Sequence, residues 1–282
     1  MIKCQIVECT PSQPSRDGDG VAIKRVVLMN EPRTDPVLLI DELRSPYRED
    51  FAGGFPPHPH RGMQTLTYMI DGGIIHEDSM GNRGEIRSGG AQWMSAGSGV
   101  IHSEMPTQDT QGLHGFQLWF NLPAAQKMAP PRYRDIPRAG LGCLDGEDFR
   151  ALAIAGEWVL NGQSVVGPLF ELVPQASLID LTIDQGATVS VDIDPGDNVL
   201  GYIYDGSVSC ADSVVNAAHL AIASPGDQWT LTAGTGGARL LLMTGRPIRE
   251  PVIGYGPFVM NTREQIEQAI RDYQAGKLVQ TP

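Results

Sequence analysis

Tyr68-Met69-Ile70-Asp71-Gly72 is echoed 134 residues later by Tyr202-Ile203-Tyr204-Asp205-Gly206. A second echo follows in the same order. Gln92-Trp93-Met94-Ser95-Ala96-Gly97 matches Gln228-Trp229-Thr230-Leu231-Thr232-Ala233-Gly234, with the tryptophans 136 apart and one residue inserted before the glycine. Two ordered matches at nearly one offset, close to half the length of 282, point to a duplicated unit. Each copy reads as strands. Thr65 to Ile70 is β-rich and partly alternating, Asp71-Gly72-Gly73 supplies a tight turn, and Ile74-Ile75 begins a return strand. Turns at Pro195-Gly196-Asp197 and Pro225-Gly226-Asp227 frame further strands in the second copy. The Pro-rich run from Pro130 to Gly140 is the expected linker, dividing a domain 1–138 from a domain 139–282.

Composition agrees with that picture. The chain holds 33 Gly and 21 Pro, about a fifth of all residues and too much punctuation for a helical bundle, while 41% hydrophobic residues suffice for cores. The one convincing helix lies near the end. Asn261 or Thr262 can cap it, Glu264 or Gln265 stands at the matching third position, and Ile266, Ala269, Ile270 and Tyr273 share a face up to Gly276. The net charge of −12 and the lack of any basic run argue against direct nucleic-acid binding. The N-terminal residues lack a signal-peptide apolar core, and no stretch approaches the roughly 18 apolar residues of a membrane span. Cys4, Cys9, Cys143 and Cys210 form no CxxC pair, so free thiols in a reducing cytoplasm are expected.

Two short motifs carry the chemistry. His58-Pro59-His60 and His102-Ser103-Glu104 each place two donors at a spacing of two, which an extended chain presents on one face. Pro59 favours extended geometry at His58. On neighbouring strands the pairs would surround one ion with three imidazoles and a carboxylate, a set suited to iron(II), nickel, cobalt, copper or zinc, with two positions of an octahedron left open. Counting along the repeat puts Asp192, Asp194, Ala238 and Leu240 at the corresponding places, so a second metal site is not expected.

These stretches resemble the pirin family of bicupins. The resemblance rests on Gly54 to Gly62, on His76-Glu77-Asp78-Ser79-Met80-Gly81-Asn82-Arg83-Gly84, on Gln92 to Pro106, on Gln117 to Pro123 and on Gly256 to Thr262. It implies an all-β fold of two face-to-face antiparallel cupin sandwiches with a short C-terminal helix. It implies a metal in the N-terminal domain on His58, His60, His102 and Glu104, most often iron(II), with Ni, Co, Cu, Mn or Zn as other ions. It implies quercetin 2,3-dioxygenase activity on a flavonol-like substrate and dioxygen. In that reaction Glu104, a ligand near the substrate hydroxyl, is the expected general base, and a monomer is expected. The other implied role is a metal- or redox-responsive regulator that binds a protein partner. Gln64 stands where family members carry glutamate, and Gly89-Gly90 replaces the usual Gly-Asp. Among the remaining candidates, His76 reads as a turn histidine or cavity mouth, His114 points either way, Gln117 can reach the site, and Arg61 reads as a structural ion pair. Phe55, Met63 and Trp93 read as core or cavity wall, and His219 as ordinary.

Overall fold

The computed structural model describes residues 2–29 and 31–279. Its strands fall into two compact units that are not contiguous halves of the chain. The first combines Gln13–Glu31, Val37–Ala139 and the segment from Ile248 onward, and the second the segment up to Ser12, Pro32–Pro36 and Gly140–Pro247. Among the described residues, 2–12 belong to the second unit and 248–279 to the first, each outside the half of the chain it occupies in sequence.

The first unit contains β1 (Gln13–Asp17), β2 (Val21–Val27), β3 (Val37–Ser45), β4 (Phe55–His60), β5 (Met63–Asp71), β6 (Gly73–Asp78), β7 (Arg83–Arg87), β8 (Ala91–Ser95), β9 (Val100–Pro106), β10 (Leu113–Asn121) and β11 (Arg132–Ile136). Seven of them form a sheet in the order β11-β8-β5-β10-β3-β2-β1, and four form a second sheet in the order β4-β9-β6-β7. Every pairing is antiparallel. A core between the sheets takes Val21, Ile23, Leu43 and Met69 from the large sheet and Ile74 and Ile86 from the small one. β4, with Pro56, Pro57 and Pro59, lies at a sheet edge, where a residue without an N–H costs no ladder bond.

Two local expectations change. Asp71-Gly72 does not close a hairpin: β5 and β6 belong to different sheets, and Gly72, at φ +87°, turns the corner between them. The Pro130–Gly140 stretch contains β11, which pairs with β8 as an edge strand. The helix forms where expected, as α1 (Arg263–Gln274), with a capping box between Thr262 and Gln265. It packs in the first unit, where Ile266 and Ala269 join Phe258, Met260 and Leu278, with Ile101 of β9 against them.

The second unit is built on one eleven-stranded sheet that includes β12 (Ser177–Ile183), β13 (Thr188–Asp192), β14 (Asn198–Cys210), β15 (His219–Ala223) and β16 (Gln228–Gly245). Its interior is a continuous apolar cluster that includes Trp158, Val191, Trp229, Leu231 and Leu240. The tyrosine echo holds in structure, since β5 and the first part of β14 each run into the Asp-Gly corner. The tryptophan echo does not. Trp93 on β8 pairs with Leu66 of β5, whereas Trp229 on β16 pairs with Val191 of β13.

Strand pairing gives the correct correspondence between the copies. Three residues past each corner aspartate, Ile74 pairs with Pro106 and Val208 pairs with Ala233. Stepping back along the partner strands aligns Glu104 with Leu231 and His102 with Trp229. The cross-strand partners then align His58 with Val191, and His60 with Ile193 two residues on. The positions counted from sequence as Asp192, Asp194, Ala238 and Leu240 are therefore Val191, Ile193, Trp229 and Leu231. All four belong to the apolar core of the second unit.

Candidate metal centre

β4 and β9 are neighbours in the small sheet, and His58 faces His102 directly across the pair. The two-residue period brings His60 to the same side, so the three rings converge with centroids 4.4 to 4.9 Å apart. One nitrogen from each lies within 4.8 Å of the others, and among the described residues this is the group of histidines, cysteines and carboxylates able to hold a metal ion. His60 and His102 are almost fully buried, at 1% and 2% exposure. His60 Nδ1 and His102 Nε2 are buried without a hydrogen-bond partner, and His58 Nδ1 donates to the Pro56 carbonyl at 2.8 Å, leaving its Nε2 bare. Buried nitrogen lone pairs converging without partners fit a metal ion, because each otherwise carries an uncompensated desolvation cost.

Burial keeps the His60 and His102 rings neutral. It holds His60 at about pKa 3, with His58 adding to the effect and the Pro257 carbonyl opposing it. It also holds His102 well below the ordinary histidine range, helped by His60, His58 and His76. Neutral imidazole is the metal-binding form.

Glu104 lies two residues after His102 and is also buried, yet it stands outside the histidine group. Its Oε1 accepts from Thr67 Oγ1 on β5, and its Oε2 accepts from Gln117 Nε2 on β10, both at 2.7 Å. The opposite sheet thus orients the carboxylate through Gln117, a residue the sequence reading marked as able to reach the site. Glu104, His58 and His60 line one cavity of about 560 Å³. Its walls include Leu28, Met29, Leu39, Phe55 and Trp119, and Trp119 packs edge-on against His60 at 5.2 Å. Arg25 and Asp41 form the polar part of the wall, joined by two hydrogen bonds at 2.9 and 2.7 Å.

Other sequence candidates fall into place. Arg61 is buried, donates to the Ser98 carbonyl at 2.6 Å and pairs with Asp272 of α1 at 2.7 Å, which makes it the expected structural ion pair. Phe55 is cavity wall, while Met63 and Trp93 are core. His114 lies 3.1 Å from Glu42, and His219 bonds the Ala217 carbonyl in the second unit. Gln64 is buried on β5 opposite Ser95 and Phe120. The reading of His76 as a turn residue is corrected: it is a buried β6 residue opposite Glu104, with Nδ1 3.3 Å from His102 Nδ1. Its signal was the period-two pair His76-Glu77-Asp78, the same spacing as the two ligand motifs.

A two-domain cupin fold with a histidine cluster between the sheets of one unit is the class these features define. The chain belongs to the pirin family: the family profile described as Pirin matches residues 23–120, and the Pirin C-terminal cupin domain matches residues 178–279. It is 46% identical over 273 residues to a Vibrio cholerae protein provisionally named quercetin 2,3-dioxygenase, covering 96% of each chain. A crystal structure of quercetin 2,3-dioxygenase from Acinetobacter baumannii superposes with a TM-score of 0.88 at 31% identity, covering 98% of each chain. The Escherichia coli pirin YhhW, solved in complex with nickel(II), shares the fold at a TM-score of 0.61 and 18% identity, over 85% of this chain and 99% of its own.

Proposed function

We propose that this protein is a metal-dependent dioxygenase of flavonol-like aromatics, with one divalent ion, iron(II) in the first instance, held by His58, His60, His102 and Glu104. The observation that carries the reading is the convergence of bare, buried imidazole nitrogens on the wall of a cavity with largely apolar sides. The names of the Vibrio and Acinetobacter relatives support the substrate class. Bound there, the ion would supply a Lewis-acidic centre for a substrate hydroxyl and for dioxygen.

The chain's own residues do the rest. Leu28, Leu39, Phe55 and Trp119 bury a planar ring system and exclude water from it. The Glu104 carboxylate accepts the proton of the substrate hydroxyl, and Thr67 and Gln117 hold it in place for that transfer. Anaerobic reconstitution with iron(II), followed by quercetin turnover in air, tests the proposal. Wild type should consume quercetin, and Glu104→Gln should lower kcat at least tenfold. Wild-type protein that takes up one ion and leaves quercetin untouched would refute this substrate.

A further inference from the structure

His102 faces a chain of two further groups that the proposed reaction does not use. Its Nδ1 lies 3.3 Å from His76 Nδ1, and His76 Nε2 lies 3.2 Å from Asp78 Oδ2. Both His76 and Asp78 side chains are almost wholly buried, at 1% and 0% exposure. Asp78 is surrounded by donors. Its Oδ1 accepts from the Met80 and Asn82 amides at 2.9 and 3.0 Å, and its Oδ2 accepts from Asn82 Nδ2 at 2.9 Å. Three N–H donors aimed at one buried carboxyl favour its ionised form, which acts only as an acceptor.

The proton positions then follow one from another. Facing a carboxylate, His76 carries its proton on Nε2. A neutral His76 so fixed offers a lone pair at Nδ1. The short contact to His102 requires one donor and one acceptor, so His102 carries its proton on Nδ1. Its lone pair is left on Nε2, the atom that is buried without a partner among the three converging rings. Tyr133 packs over His76, with ring centroids 4.6 Å apart and the planes tilted by 30°.

We propose that Asp78 and His76 are positioning residues that fix the tautomer of His102, so that its Nε2 is bare and ready for a metal ion before any ion arrives. The inference rests on the metal-binding part of the function proposed above and is independent of the substrate.

Asp78→Asn tests it with little change of shape. The asparagine oxygen still accepts from the Met80 and Asn82 amides, and its Nδ2 donates toward His76 Nε2, with the Asn82 side-chain amide turned over so that its oxygen, not its Nδ2, faces the new NH2 group. His76 must then carry its proton on Nδ1 and donate to His102 Nδ1, which forces the His102 proton onto Nε2, where a metal ion should bind. The tautomer is read in the metal-free protein by nitrogen-15 histidine NMR, and affinity by titration with nickel(II) alone. Wild type should show a protonated Nδ1 and a bare Nε2 at His102. Asp78→Asn should show the reverse and bind nickel(II) roughly 10–100-fold more weakly. A folded Asp78→Asn protein with the wild-type tautomer or wild-type nickel affinity overturns the proposal. If that variant does not fold, His76→Phe carries the test. It removes the acceptor while keeping a ring under Tyr133, and the His102 Nδ1–H preference should vanish with a similar loss of affinity; retention of both overturns the proposal. Neither readout involves quercetin, so failure of the substrate reading and failure of this one remain separable.

Discussion

At the residue scale, the burial of His60 has a measurable consequence. An unfolded chain protonates this imidazole near pH 6.5, whereas the folded protein keeps it neutral down to about 3. Between those values the unfolded state binds the extra proton, so folding loses stability as the pH falls, at up to about 1.4 kcal/mol per pH unit for this one group. In metal-free protein, the urea midpoint of wild type should fall more steeply between pH 6.5 and 4.5 than that of His60→Leu. Parallel falls would contradict a buried neutral His60. The four ligand candidates were legible because a spacing of two is visible in any extended stretch. The roles of Gln117, Thr67 and Trp119 were not fully legible, because they reach the site from β5 and β10 on the opposite sheet, and no local spacing reports which strands face one another.

At the scale of elements, Lys127 joins the turn after β4 to the segment leading into α1. Its ammonium is buried and donates to the Gly62 carbonyl at 2.8 Å, Asn121 Oδ1 at 2.7 Å and the Val259 carbonyl at 3.0 Å. Gly62 itself sits at φ +80°, and a Cβ there would lie 2.0 Å from the Val259 carbonyl, so only glycine permits this approach. Lys127→Met leaves three buried acceptors without their donor and should cost about 3–5 kcal/mol. Urea unfolding measures it, and a loss below about 1 kcal/mol would show that the junction does not depend on the lysine. The helix was readable from its cap and its apolar face. Its place was not, because the same apolar stripe would suit either unit; the choice is made by contacts such as Asp272 with the buried Arg61.

At the scale of the whole molecule, duplication has produced one unit with a cavity that histidines line and one with a closed apolar core. The positions of His58, His60, His102 and Glu104 are taken in the second unit by Val191, Ile193, Trp229 and Leu231. Metal analysis after reconstitution should therefore give one ion per chain. Trp229→Ala should destabilise the second unit by about 3–5 kcal/mol through the cavity it leaves, while keeping that stoichiometry. A second equivalent of metal in wild type would contradict the assignment.

The sequence by itself determined the strand-rich duplicated fold, the capped helix and the two period-two motifs, because each depends on neighbours along the chain: alternation, turn residues and caps are local physics. Only the tertiary structure decided which strands correspond between the copies, which unit receives residues 2–12 and 248–279, and that His76 and Asp78 stand behind His102. Those facts depend on cross-strand register and on sheet facing sheet. Register is set by the burial of whole faces at once, so a match such as Trp93 with Trp229 can be exact in spacing along the chain and still fall on strands that do not correspond.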